Sequence, residues 1–84
     1  MTVEETIRKY IVEAYLSNDD AGFRNDQDLL LVLNSLQLLR MLIELERLFD
    51  VRIDNSEVTP ENLGTVERLA TFITTKQSQT TGVA

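Results

Sequence analysis

The chain of 84 residues contains no cysteine and no histidine. Without cysteine there is no disulfide, no thiolate metal site and no thiol nucleophile of the chain's own. Without histidine the commonest general base and the commonest metal ligand are both missing. Tryptophan is absent, proline occurs once and glycine three times, so few residues interrupt helices. Positive charge is scarce as well: 8 Lys and Arg stand against 14 Asp and Glu, a net charge of −6. That balance disfavours nucleic acid and anionic lipid as partners. No apolar run approaches the ~20 residues of a membrane span, and the opening Thr2, Glu4 and Glu5 do not have the pattern of a signal peptide. The hydrophobic share of 43% is enough for one small core. The expectation is a single acidic helical domain, soluble, cytoplasmic and monomeric, with neither nucleic acid nor membrane as partner.

What is present is helical periodicity with capping signals. Thr2 and Glu5 are spaced as a capping box, and Val3, Ile7, Tyr10, Ile11 and Ala14 share one face at about 100° per residue, predicting a first helix from Val3 to Leu16. A long surface loop follows, marked by Asn18-Asp19-Asp20, Gly22 and Asn25-Asp26. It ends in the apolar run Leu29 to Leu33, expected to lie across the core with one irregular helical turn. The central helix is predicted from Ser35 to Asp50, with Leu38, Leu42, Leu45 and Phe49 as its core stripe and Met41 and Leu48 widening it. Val51-Arg52-Ile53 reads as an extended link that drops two apolar side chains into the core. Thr59-Pro60-Glu61 predicts a short third helix stopped by Gly64. Thr65 then caps a last helix to about Thr74, with Val66, Leu69, Ala70 and Ile73 inward. The fold class is therefore all-α, a small four-helix bundle with a long loop between the first two helices and a short third helix. Residues 1–75 form the domain and 76–84 are expected to be a disordered tail.

An autonomous active site is not expected, and the chain does not read as an enzyme. Asp19, Asp20, Asp26 and Asp28 have the composition of a calcium loop without its spacing, and read as a solvated acidic loop. The informative stretch is Leu33-Asn34-Ser35-Leu36-Gln37. Read locally, Asn34 caps the central helix, Gln37 completes a capping box and Ser35 occupies an ordinary first position. The rest of the helix adds something. With Ser35 at 0° on a helical wheel, the core stripe covers about 220–340°, while Leu39, Ile43 and Leu36 lie at about 40°, 80° and 100°. This second apolar stripe starts beside Ser35 and is rimmed by Glu46 and Asp50 on one side and by Arg40 and Arg47 on the other. The loop or the third helix is expected to cover part of it, at Leu36 or Ile43. An exposed apolar strip with a charged rim marks a docking surface, and a serine at its head reads as a modifiable handle.

Asn34-Ser35-Leu36, Leu39 and Leu42, and then Leu48-Phe49-Asp50-Val51-Arg52-Ile53, together resemble the recognition helix of acyl and peptidyl carrier proteins. The resemblance continues through Thr59-Pro60-Glu61-Asn62-Leu63 and Thr65-Val66 to Ile73, and covers about Val3 to Thr75. It implies a bundle of the acyl-carrier type with 4'-phosphopantetheine attached covalently to Ser35, holding an aminoacyl or acyl group as a thioester. The implied partners are a phosphopantetheinyl transferase, an adenylating or acyl-loading enzyme, and downstream synthase or tailoring enzymes. Asn34, Leu36, Leu39, Arg40, Ile43 and Arg47 would form the docking surface. Two positions depart from the family's pattern: Asn34 stands where an aspartate is usual, and Val32 where a glycine is common. The Asn-Ser pairing and Arg40 resemble free-standing carriers of nonribosomal peptide or polyketide secondary metabolism. A fatty-acid-type carrier, and a helical interaction module with no prosthetic group, remain the alternatives.

Overall fold

Each helix begins where the sequence supplies its own cap. The computed structural model describes residues 2–81, the side chains of 79–81 excepted. Helix α1 spans Val3–Tyr15. The Thr2 hydroxyl accepts from the Glu5 N–H at 3.1 Å and Glu5 Oε1 accepts from the Thr2 N–H at 3.0 Å, which forms the predicted capping box. Helix α2 spans Ser35–Phe49, α3 Pro60–Leu63 and α4 Val66–Thr81. The Thr59 and Thr65 hydroxyls accept from the amides of Asn62 at 3.3 Å and Arg68 at 3.0 Å, so both predicted threonine caps are in place. Single 3-10 turns occupy Leu29–Leu31 and Asn55–Glu57. Among the described residues there is no strand, and no helix is long and apolar enough to cross a membrane.

The core is one cluster fed by every α-helix. Ile7 and Ile11 of α1, Met41, Leu42 and Leu45 of α2, Leu63 of α3, and Val66, Leu69 and Ile73 of α4 are all buried. Helices α1 and α3 pack against α4. Val51 is buried and Ile53 packs against the same cluster from the exit of α2, as the extended link predicts. Ala70 is half-buried.

Several expectations need correction. Ala14 is exposed while Val12, about 100° further round α1 than Ile11, is buried. The cause is the long loop, which returns over that side. The Arg8 guanidinium lies 5.0 Å above the Phe23 ring and donates to Asn25 Oδ1 at 2.9 Å. Asn25 in turn donates to Glu4 Oε2 at 3.1 Å, and its carbonyl accepts from the Glu67 N–H of α4 at 3.1 Å. One asparagine thus ties the loop to both outer helices. In the apolar run only Leu29 and Leu33 are buried, because the 3-10 turn swings Leu30 and Leu31 outward. Leu48 is about half-exposed and does not widen the core stripe.

Helix α4 also continues past the expected end at Thr74 to Thr81. Lys76 donates to Glu57 Oε1 and Oε2 at 2.7 and 2.9 Å and lies 5.4 Å from the Phe72 ring centre, which anchors a polar stretch without apolar period. Residues 76–81 of the expected tail are therefore helical here, and 82–84 lie outside the described residues.

Gly64 joins α3 to α4 at a point that only glycine fits. A Cβ there would run into the carbonyl oxygen of Pro60. Its own carbonyl accepts from the Leu29 N–H at 2.7 Å, pinning the end of the long loop beside α2.

Candidate functional site

The long loop, once pinned, delivers the chain to the head of α2. Asn34 has an extended backbone (φ −80°, ψ 173°) and its Oδ1 accepts from the Gln37 N–H at 2.8 Å. Gln37 Oε1 accepts from the Asn34 N–H at 3.1 Å, closing the reciprocal capping box. The Tyr15 hydroxyl donates to the Gln37 carbonyl at 3.2 Å, tying the end of α1 to this first turn. Tyr10 stacks edge-on against Tyr15 at 5.9 Å, and burial, with the Tyr15 hydroxyl adding to it, pushes the Tyr10 phenol up to about 12. Tyr10 is therefore a neutral packing group at physiological pH.

Ser35 occupies the first helical position and is exposed. Its hydroxyl enters no hydrogen bond among the described residues. Asn34 has already satisfied the Gln37 amide, and the Leu38 amide donates to the Asn34 carbonyl at 2.9 Å. Among the described residues the Ser35 and Leu36 amides have no backbone partner, at the positive end of the helix dipole. An exposed hydroxyl on the first turn that enters no hydrogen bond among the described residues can take an anionic substituent without breaking a hydrogen bond of the fold.

The second apolar stripe is open along its length. Leu36, Leu39 and Ile43 are 59, 56 and 64% exposed. Neither the loop nor α3 covers Leu36 or Ile43, contrary to the expectation of partial cover. Arg40 is exposed and enters no hydrogen bond or ion pair among the described residues. Arg47 is exposed too, but its Nε and Nη2 bond to the Glu44 carboxylate at 3.0 and 2.8 Å, so its charge is shared. Glu46 turns away from the rim role: its Oε2 accepts from the Ile53 N–H at 2.7 Å and secures the exit of the helix.

Sequence reasoning missed the exposed Leu30, which lines a small apolar cleft of about 100 Å³ with Leu38, Val58, Thr59, Pro60, Leu63 and Gly64. The signal was available in Asp28, whose Oδ1 accepts from the Leu30 N–H at 2.9 Å and starts the 3-10 turn. The acidic loop residues each have local work: Asp20 pairs with Arg8, Asp26 with Arg24, and Asp19 bonds the Ala21 amide. Compared with known proteins, the chain matches no family model and no curated sequence.

Proposed function

We propose that this chain is a carrier protein of the acyl-carrier type, which holds an aminoacyl or acyl group on a 4'-phosphopantetheine arm joined to Ser35. The observation that carries the reading is the exposed Ser35 hydroxyl on the first turn of α2, unengaged among the described residues, on a turn whose first two amides have no backbone partner there. A phosphodiester formed there needs no rearrangement of the fold, because the cap is Asn34 and not Ser35. The transfer that installs the arm makes a Ser35 Oγ–phosphorus bond, breaks the pyrophosphate linkage of coenzyme A, and releases the hydroxyl proton and an adenosine bisphosphate. The attached arm supplies the thiol that the cysteine-free sequence lacks. The chain's own residues position and present: Asn34 and Gln37 fix the helix start, and Leu36, Leu39 and Ile43 offer an apolar surface beside the serine.

Arg40 supports the finer reading, a free-standing carrier loaded by an adenylating enzyme in nonribosomal peptide or polyketide metabolism, since it places a cation where a fatty-acid partner with a basic patch expects an anion. The test is intact mass after incubation with a broad-specificity phosphopantetheinyl transferase and coenzyme A. One arm is expected on the wild type and none on Ser35→Ala. An unmodified wild type, beside a control carrier that is modified, overturns the reading in favour of an interaction module. Modification that persists in Ser35→Ala overturns the site; Ser56 is a poor substitute, because its hydroxyl contacts Asp54 Oδ2 at 3.4 Å.

A further inference from the structure

The turn that carries Ser35 is almost self-contained. The Asn34 and Gln37 side chains accept from each other's backbone amides, and the Leu38 amide donates to the Asn34 carbonyl. Among the described residues one hydrogen bond reaches this turn from another element, and it comes from the last residue of α1. The Tyr15 hydroxyl donates to the Gln37 carbonyl at 3.2 Å, across 22 positions of sequence. No other hydrogen bond joins α1 to α2 among the described residues.

That hydroxyl answers no need of the core. The Tyr15 ring is half-buried, packs on the core cluster and meets Tyr10 edge-on at 5.9 Å. A phenylalanine would keep all of this. The Gln37 carbonyl is no orphan either, since a carbonyl in the first turn of a helix accepts from the amide four positions on. The single proton of the phenol goes to the second lone pair of that oxygen. What the bond adds is a tether on the first turn of α2, and helix ends are where a fold opens most readily.

The end of α1 is itself closed off directly after Tyr15. The Leu16 and Asn18 amides both donate to the Val12 carbonyl, at 3.2 and 3.0 Å, and the Asp19 amide donates to the Leu16 carbonyl at 2.9 Å. Ser17 and Asn18 take positive φ, 53° and 64°, a region that serine rarely enters. The phenol therefore stands on a turn that is held. The close helix pairs, α1 with α4 and α3 with α4, do not include α2, so it falls to a long side chain to reach its head.

We propose that Tyr15 is a positioning residue for Ser35: its hydroxyl, through the Gln37 carbonyl, holds the first turn of α2 in the conformation that presents the serine for transfer of the arm. The ordering of the turn stands on the geometry alone, and its use in the transfer rests on the carrier reading. Tyr15 bonds the turn and not the serine. Removing its hydroxyl should change how often the turn is ready, and not the transfer step itself.

The test compares wild type with Tyr15→Phe, which keeps the ring, and with Ile73→Val, a change in the α4 core. Amide hydrogen exchange is read at Gln37 and Leu38, the two bonded amides of the turn. KM and kcat for the chain are measured with a broad-specificity phosphopantetheinyl transferase and coenzyme A. Tyr15→Phe is expected to speed exchange at both amides about two- to tenfold, the worth of one hydrogen bond. KM should rise about two- to threefold with kcat unchanged, because an exposed terminal turn opens at little cost and its competent fraction falls. Ile73→Val should lower Tm and leave KM and both amides as they are. Equal acceleration by Ile73→Val would mean that the turn opens only with the whole fold, and would overturn the proposal. Unchanged exchange in Tyr15→Phe would overturn it, and so would faster exchange with KM unmoved or a loss confined to kcat. An unmodified wild type removes the carrier reading, and exchange at the two amides then decides alone whether Tyr15 orders the turn. A modified wild type whose exchange is insensitive to Tyr15→Phe keeps the carrier reading and removes the positioning role.

Discussion

Two neighbouring residues at the head of α2 differ in what they give the fold. Asn34 accepts the Gln37 amide and has its own amide satisfied in return, while the Ser35 hydroxyl enters no hydrogen bond in the described structure. Asn34→Ala should therefore cost about 1 kcal/mol, the usual worth of an N-cap, and Ser35→Ala close to nothing. Urea unfolding of the two variants checks this. A loss at Ser35 equal to that at Asn34 would give the hydroxyl a structural role and weaken its reading as a free handle. The other end of the helix offers the converse experiment. Asp50→Asn keeps a side chain that tolerates the left-handed region and removes the misplaced charge, so it should raise Tm by a few degrees. An unchanged or lower Tm would mean that the Asp50 carboxylate is used within the fold.

At the scale of the element, α2 is a helix with two apolar faces and one core. Leu42 is 5% exposed and Leu39 56%. Leu42→Ala should cost on the order of 2–5 kcal/mol, because a buried leucine leaves a cavity, whereas Leu39→Ala should cost less than about 0.5 kcal/mol as a surface change. Equal shifts of the urea midpoint would make the second stripe part of the core. The helix and its two faces were legible because period and caps are local: Asn34, Gln37, Leu38, Leu42 and Leu45 suffice. The cover of α1 was not, since burying Val12 depends on Phe23 and Asn25 returning across a long loop. In the apolar run 29–33 the irregular helical turn was legible and is there, but which leucines it turns outward was not, because a 3-10 turn has a different period from an α-helix. The length of α4 was missed for a third reason: its last turns have no apolar stripe and are anchored by Lys76 reaching Glu57, a contact 19 residues away in sequence. The quenching of Arg47 could have been read from the sequence, because Glu44 precedes it by three positions on the same helix.

On the scale of the molecule, the small core is closed by polar ties between distant segments, and the tie most open to test is that between the exit of α2 and the last helix. Glu57 sits in the 3-10 turn after Ile53, where its Oε1 also accepts from the Asp54 N–H at 2.9 Å. The Lys76 ammonium first, and then that amide, hold the Glu57 carboxyl below the usual glutamate range, with burial opposing them. A carboxyl depressed in the folded state stabilises the fold above its unfolded value of about 4.3 and loses that contribution as pH falls through the lower folded value. The side chains of Glu57 and Lys76 remain 30 and 17% exposed, so water screens the pair and its worth stays within about 1 kcal/mol. With no histidine in the sequence, no side chain of ordinary pKa changes charge between about pH 6 and 8. Stability should accordingly be nearly flat over that range. Glu57→Gln should lower Tm at pH 7, and the gap between variant and wild type should narrow as pH falls below the unfolded glutamate value of about 4.3 and through the lower folded one, as the wild-type carboxyl takes up its proton. Thermal unfolding of both proteins from pH 3 to 8 measures the gap directly. A gap that persists unchanged at pH 3 would trace the loss to packing around residue 57 instead of charge, and the tie to α4 would then be steric.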